Sequence, residues 1–139
     1  MTREEFIERV SDLFPAQGCC SETIVLAGAE LLGVDSELIP AVANGFCGGM
    51  MYEKETCGAL TGAIIVLGLA ARHRDGLSLE VSVPELLEHF RSRHGSVNCF
   101  ELTSLDLRDP EQMDRLDIEK CRQFVRSAAG HLYDLVELC

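Results

Sequence analysis

CGALTGAIIVLGLAA, Cys57 to Ala71, is the stretch that decides the fold: it carries three glycines and no charged residue. A membrane span needs roughly 20 apolar residues, so this shorter run has the length of a helix buried on all sides in a protein core. Thr56 stands where an N-cap belongs. Arg72, His73 and Arg74 close the segment, where positive groups suit the negative pole of a helix dipole. Gly58, Ala59, Gly62 and Ala63 give this helix a face of small residues, which lets a second helix or a prosthetic group approach closely.

Upstream, Thr2 with Glu5 forms a capping-box pattern, and Phe6, Val10, Leu13 and Phe14 recur at helical spacing until Pro15. Gly18 joins this to a second helix carrying Ile24, Leu26, Ala27, Leu31 and Leu32, ended by Gly33 and bearing Cys19 and Cys20 in its first turn. A short helical piece around Leu38 to Val42 runs into NGFCGGM, Asn44 to Met50, whose glycines point to a loop with positive φ or close backbone approach. With no GKS or GKT, no GxGxxG and no preceding strand, this loop is a poor nucleotide site.

Downstream, Ser82 and Glu85 form a second capping-box pattern with Pro84 in the first turn, followed by Leu86, Leu87 and Phe90 and an end near Gly95. Ser96 begins a short turn or helix through Cys99, Phe100 and Leu102. After Asp109-Pro110-Glu111, the residues Ile118, Cys121, Phe124, Val125, Ala128, Leu132 and Leu135 keep a helical period. SLEVSV, Ser78 to Val83, alternates like a strand but has no partner. The expectation is an all-α fold: one compact domain over residues 1–139, with about five or six helices around the central apolar one.

A formal charge of -11 disfavours nonspecific attraction to nucleic acid or anionic lipid. No basic stripe is present to build a binding groove, so neither nucleic acid nor membrane insertion is expected. No apolar secretory region and no basic leader precedes the first acidic helix, which reads as a chain beginning near Met1 and residing in the cytoplasm.

The chain has seven cysteines, too many for packing alone. An odd number without a secretory signal argues against a disulfide-stapled scaffold and for metal binding, cluster binding or thiol redox chemistry. Cys20, Cys57, Cys99 and Cys121 each fall near a helix start, where unpaired N–H groups favour thiolate, so lowered pKa values are expected. There is no CxxC and no CxxCH, yet ligands dispersed over several helices can converge in a bundle. Cys19 and Cys20 would be strained as a mutual disulfide; one faces the site while the other packs. His94 stands close enough to Cys99 in sequence to serve as ligand or proton relay, whereas His73, His89 and His131 read as surface or helix-end residues. No HExxH, paired Glu-x-x-His set or serine triad pattern supports a hydrolase or di-iron enzyme.

GCCSE, GFCGGM, CGALTGAIIVLGL and HGSVNCFEL, followed by Cys121, resemble the redox-active protein family named for its C, GCAxxG, C, C pattern. The resemblance runs from Gly18 to about Ala129, and its central element is matched by Cys57, Gly58, Ala59 and Gly62. It implies that the four characteristic cysteines are Cys20, Cys57, Cys99 and Cys121. It also implies a likeness to a cysteine-bearing region of split-Soret cytochromes for which iron–sulfur binding has been proposed, and it brings no reaction or substrate. Two positions depart from the pattern: Cys19, where the family usually has Asn or a similar residue, and Cys47, where it has Gly. Cys47 is thus an extra thiol or a neutral change.

Three readings follow. In the first, two of the four cysteines cycle between dithiol and disulfide, exchanging electrons with a redox partner protein or small acceptor that reaches them past Gly48 and Gly49. In the second, Cys20, Cys57, Cys99 and Cys121 bind an iron–sulfur cluster or zinc seated against Gly58 and Gly62. In the third, the chain is a noncatalytic helical interaction domain, with homodimerisation covering its apolar helix. The first two require the four sulfurs to converge, and they rank Cys57 above the terminal Cys139 in importance.

Overall fold

The computed structural model describes residues 1–137, so Cys139 lies outside the described residues. The apolar stretch forms α4 (Gly58–His73). Before it come α1 (Arg3–Leu13), α2 (Cys20–Leu32), a 3₁₀ turn (Ala41–Phe46) and α3 (Cys47–Met50). After it come α5 (Leu79–His94), α6 (Cys99–Thr103), α7 (Pro110–Met113) and α8 (Ile118–Glu137).

The chain is all-α, but with eight α-helices among the described residues rather than the five or six expected. The difference lies in α3, α6 and α7, single turns too short to show a hydrophobic period. Local caps define two of them: the Asn98 side chain accepts from Glu101 N–H at α6, and Asp109 accepts from Glu111 N–H ahead of Pro110 at α7. The strand-like SLEVSV is the start of α5, with Ser82 N–H donating to Ser78 C=O at 2.8 Å. Its helix therefore begins a turn earlier than the Ser82 capping pattern suggests, leaving Pro84 inside it and Ser82 buried. Thr56 does not cap α4; Cys57 occupies that position.

Helix α4 is covered from within the chain, by α2, α5 and α8, around a core that includes Phe6, Ile24, Leu60, Leu67, Phe90 and Leu132. Its closest partner is α2. A Cβ at Gly58 would lie 3.5 Å from Cys20 Cβ, one at Gly62 would meet the Ser21 backbone, and one at Gly28 would run into Val66. The residues meet in ascending order on both helices, so α2 and α4 run parallel and begin at the same end. Helix α8 instead runs antiparallel to α1, tied by Arg3 to Asp134 at 2.8 Å and Arg126 to Glu8 at 2.8 Å. Arg122 also donates to the Ser11 and Phe14 carbonyls at the end of α1. No helix among the described residues is long and apolar enough to cross a membrane.

The α2–α4 contact gives a direct test. In Gly62→Ala the new Cβ lies 2.8 Å from the Ser21 carbonyl oxygen and 2.9 Å from its Cα, and backbone cannot step aside as a side chain can. Urea unfolding is expected to show a loss of about 1–3 kcal/mol from overpacking. Gly68→Ala, whose Cβ meets nothing within 4 Å, is expected to gain up to about 1 kcal/mol of helix propensity.

Candidate functional site

Because α2 and α4 are parallel, Cys20, the first residue of α2, and Cys57, the N-cap of α4, come to the same end of the molecule. Cys99, the first residue of α6, is held beside them by a short antiparallel bridge between Thr56 and Asn98. There Cys57 N–H donates to Val97 C=O at 2.8 Å and Cys99 N–H donates to Glu55 C=O at 2.7 Å. Cys121 enters from the first turn of α8, where the Asp117 carboxylate accepts from the N–H groups of Glu119 and Lys120.

These four free cysteines line one cavity of about 270 Å³. Its other walls are mainly apolar, among them Phe14, Leu102, Met113, Leu116 and Phe124, and no charged residue is in the lining. Of the four glycines expected at the site, Gly48 and Gly58 line the cavity. Gly49 sits behind Cys99, where a Cβ would lie 2.7 Å from Cys99 Cβ, and Gly62 serves the α2–α4 contact. His94 is not at the cavity: its ring packs on Phe90 and Phe124, with centroids 4.5 and 5.1 Å away. The expectation of a ligand or relay there fails because aromatic packing turns the imidazole into the α5–α8 contact.

Five successive residues, Gly48 to Tyr52, hold positive φ, so α3 is no regular right-handed helix and, with the two residues after it, makes a left-handed turn. Glycine adopts this freely, but Met50, Met51 and Tyr52 each carry about 1–2 kcal/mol of strain. The turn delivers Tyr52 to the cavity mouth over Gly48, a close approach that leaves no room for a Cβ.

The expectation of lowered thiol pKa values is overturned. Burial pushes Cys57 up to about 12, with the N–H groups of Ala59 and Leu60 offsetting it only in part and Cys99 and Cys121 raising it further. Cys121 is pushed up to about 11, first by burial and then by Cys99 and Asp117. Burial raises Cys99, and it raises Cys20 well above the ordinary thiol value, with Cys57, Cys121 and Cys99 adding to the shift. Helix starts do favour thiolate, but desolvation and the mutual repulsion of neighbouring thiolates win here.

Cys19 and Cys47 are joined in a disulfide, so Cys19 does not merely pack and Cys47 is neither an extra thiol nor neutral. Sequence reasoning passed over this pair because its members are 28 residues apart and share no motif. Glu22, three residues after Cys19, accepts from Cys19 N–H at 3.1 Å as the second half of a capping box, which marks the helix start but not the partner sulfur. Ligand atoms of Cys19, Glu22 and Cys47 lie within 4.8 Å of one another.

The thiol environment sets a pH dependence. Raised folded-state values mean that the unfolded chain loses these protons first. The contribution is fully present below about pH 8.5 and falls as pH rises toward the folded values, by up to about 1.4 kcal/mol per pH unit for each thiol ionised only when unfolded. Urea midpoints of metal-free protein are expected to fall steadily above about pH 8.5, and Cys57→Ser is expected to flatten the profile.

The family model described as "Putative redox-active protein (C_GCAxxG_C_C)" matches residues 18–135. No curated protein and no solved structure matches the chain.

Proposed function

The chain belongs to the C_GCAxxG_C_C redox-active family, and we propose that its four-thiol cavity is an electron-transfer site in which Cys20, Cys57, Cys99 and Cys121 hold an iron–sulfur cluster. The observation that carries this reading is the lining: four thiols from the starts of four helices in a cavity without one charged side chain. Thiolates gathered there repel one another, and Lys120, the cation that lowers Cys121, is outweighed by burial, Cys99 and Asp117. A metal centre supplies positive charge and draws off the thiol protons on binding. Without it, the raised thiol pKa values leave these cysteines protonated and poor nucleophiles, which weighs against dithiol exchange among the four.

The spread of the sulfurs favours a cluster over zinc. A single tetrahedral zinc at about 2.3 Å from each sulfur brings the sulfurs within about 3.8 Å of one another. Among the described residues, the set of three or more potential ligand atoms within 4.8 Å of one another is Cys19, Glu22 and Cys47, not the cavity thiols.

The Ala59 and Leu60 N–H groups near Cys57 sulfur suit a negatively charged ligand, and the apolar wall limits water. A bound cluster supplies one-electron transfer at a potential tuned by such hydrogen bonds and by burial. The electron partner is a redox protein or small acceptor reaching the mouth by Gly48 and Tyr52.

Protein purified anaerobically is expected to contain iron and sulfide together and to show visible thiolate-to-iron absorption, with Cys57→Ser losing most of all three. Colourless, metal-free protein would overturn the reading; zinc without sulfide would replace the cluster with a single ion.

A further inference from the structure

We propose that the Cys19–Cys47 disulfide is a second redox centre: a two-electron exchange site that accepts reducing equivalents from a dithiol at the cavity mouth. Three observations carry this. The first is unequal access. Cys19 is partly exposed and lines the cavity, whereas Cys47 is 4% exposed and absent from its lining. An incoming thiolate therefore reaches Cys19 sulfur, and Cys47 is the leaving group.

The second is a set of acceptors placed against two sulfurs that, as a disulfide, have no proton to give. A Glu22 carboxylate oxygen lies 3.6 Å from Cys47 sulfur, but a disulfide sulfur has no proton to give. Ser21 Oγ lies 3.2 Å from Cys19 sulfur and 3.9 Å from Cys47 sulfur. Its own proton is committed to Ala43 C=O at 2.8 Å, so it turns lone pairs toward both sulfurs. On reduction the two thiols gain two protons to give, that of Cys19 to Ser21 Oγ and that of Cys47 to the Glu22 carboxylate or Ser21 Oγ. The surroundings are thus arranged for the dithiol as well as the disulfide.

The third is that the arrangement is held independently of the S–S bond. The Glu22 carboxylate accepts from Cys19 N–H at 3.1 Å and from Asn44 Nδ2 at 3.3 Å, and Ser21 is fully buried against α4. The acceptors stay in place through the redox change.

The exchange balances. A reductant thiolate forms a bond to Cys19 sulfur as the Cys19–Cys47 bond breaks, and Cys47 sulfur departs with the bonding electron pair and takes up the proton the reductant released. The second reductant thiol, as thiolate, then attacks its own partner sulfur in the mixed disulfide. Cys19 leaves and is protonated, and the reductant becomes a disulfide. One dithiol is oxidised for each protein disulfide reduced.

The test is trapping on the native full-length chain. After reduction with dithiothreitol under native conditions, removal of the reductant and alkylation in denaturant, peptide mapping is expected to show Cys19 and Cys47 newly labelled together; a pair that stays disulfide-bonded unless the reductant is applied in denaturant overturns the proposal. In Cys47→Ser, Cys19 is expected to form a mixed disulfide with the aromatic disulfide 5,5′-dithiobis(2-nitrobenzoate) at least about tenfold faster than Cys47 does in Cys19→Ser, because attack depends on access. Equal rates overturn the assigned direction. Glu22→Ala is expected to shift the equilibrium with glutathione toward the disulfide by about tenfold, from the lost thiol acceptor; no shift removes Glu22 from the site. Should a variant fail to fold, the wild-type labelling decides. Iron measured on the same samples keeps this result separate from the cluster reading.

Discussion

The close, parallel contact of α2 with α4 is the constraint on which the rest depends. Two helices come this near only where one offers backbone in place of side chain, and Gly28, Gly58 and Gly62 do so against Val66, Cys20 and Ser21. Parallel packing puts two helix starts at one end of the molecule, and the Thr56–Asn98 bridge adds the start of α6. A helix pair in the antiparallel arrangement common to short connections would have sent Cys20 and Cys57 to opposite ends. The long excursion through the 3₁₀ turn and the left-handed turn is what returns the chain to begin α4 beside α2.

The electrostatics follow from that assembly. Each helix start offers partial positive charge, but the cavity between them is apolar and holds four groups of the same potential sign. Beside it stands the disulfide region, which is polar, carries a carboxylate and a hydroxyl, and is tied to α2 through adjacent residues. Two sulfur environments thus meet within a few residues of Cys19 and Cys20. The apolar one suits a bound centre and the polar one suits exchange with thiols.

Much of the scaffold was legible in the sequence because long helices advertise their period: α1, α2, α4 and α8 follow from their apolar spacing and from Thr2, Gly33 and the uncharged run. Of the short helices α6 was foreshadowed as a turn or helix through Cys99, Phe100 and Leu102, whereas α3, α7 and the true start of α5 were not legible, since a single turn has no period and SLEVSV alternates in sequence while its buried face is helical. At the site, Cys20, Cys57, Cys99 and Cys121 could be read as lying near helix starts, although the caps of α4 and α6 are Cys57 and Asn98 rather than Thr56 and Ser96. The direction of their pKa shifts could not, because burial and the company of other thiols are properties of the assembled cavity. The bridge and the disulfide join residues far apart in the chain, and nothing local to either partner marks them.

Arg122 carries a consequence for how the molecule comes together. It lies one residue from Cys121 and reaches across more than a hundred residues to the carbonyls of Ser11 and Phe14. The fourth wall of the cavity is therefore set by the meeting of the first and last helices, the contact with the greatest loop-closure entropy against it. Until the two ends meet, Cys20, Cys57 and Cys99 have an open flank. The residues before Gly18 fall outside the family match, yet they hold the door through which the last cysteine arrives.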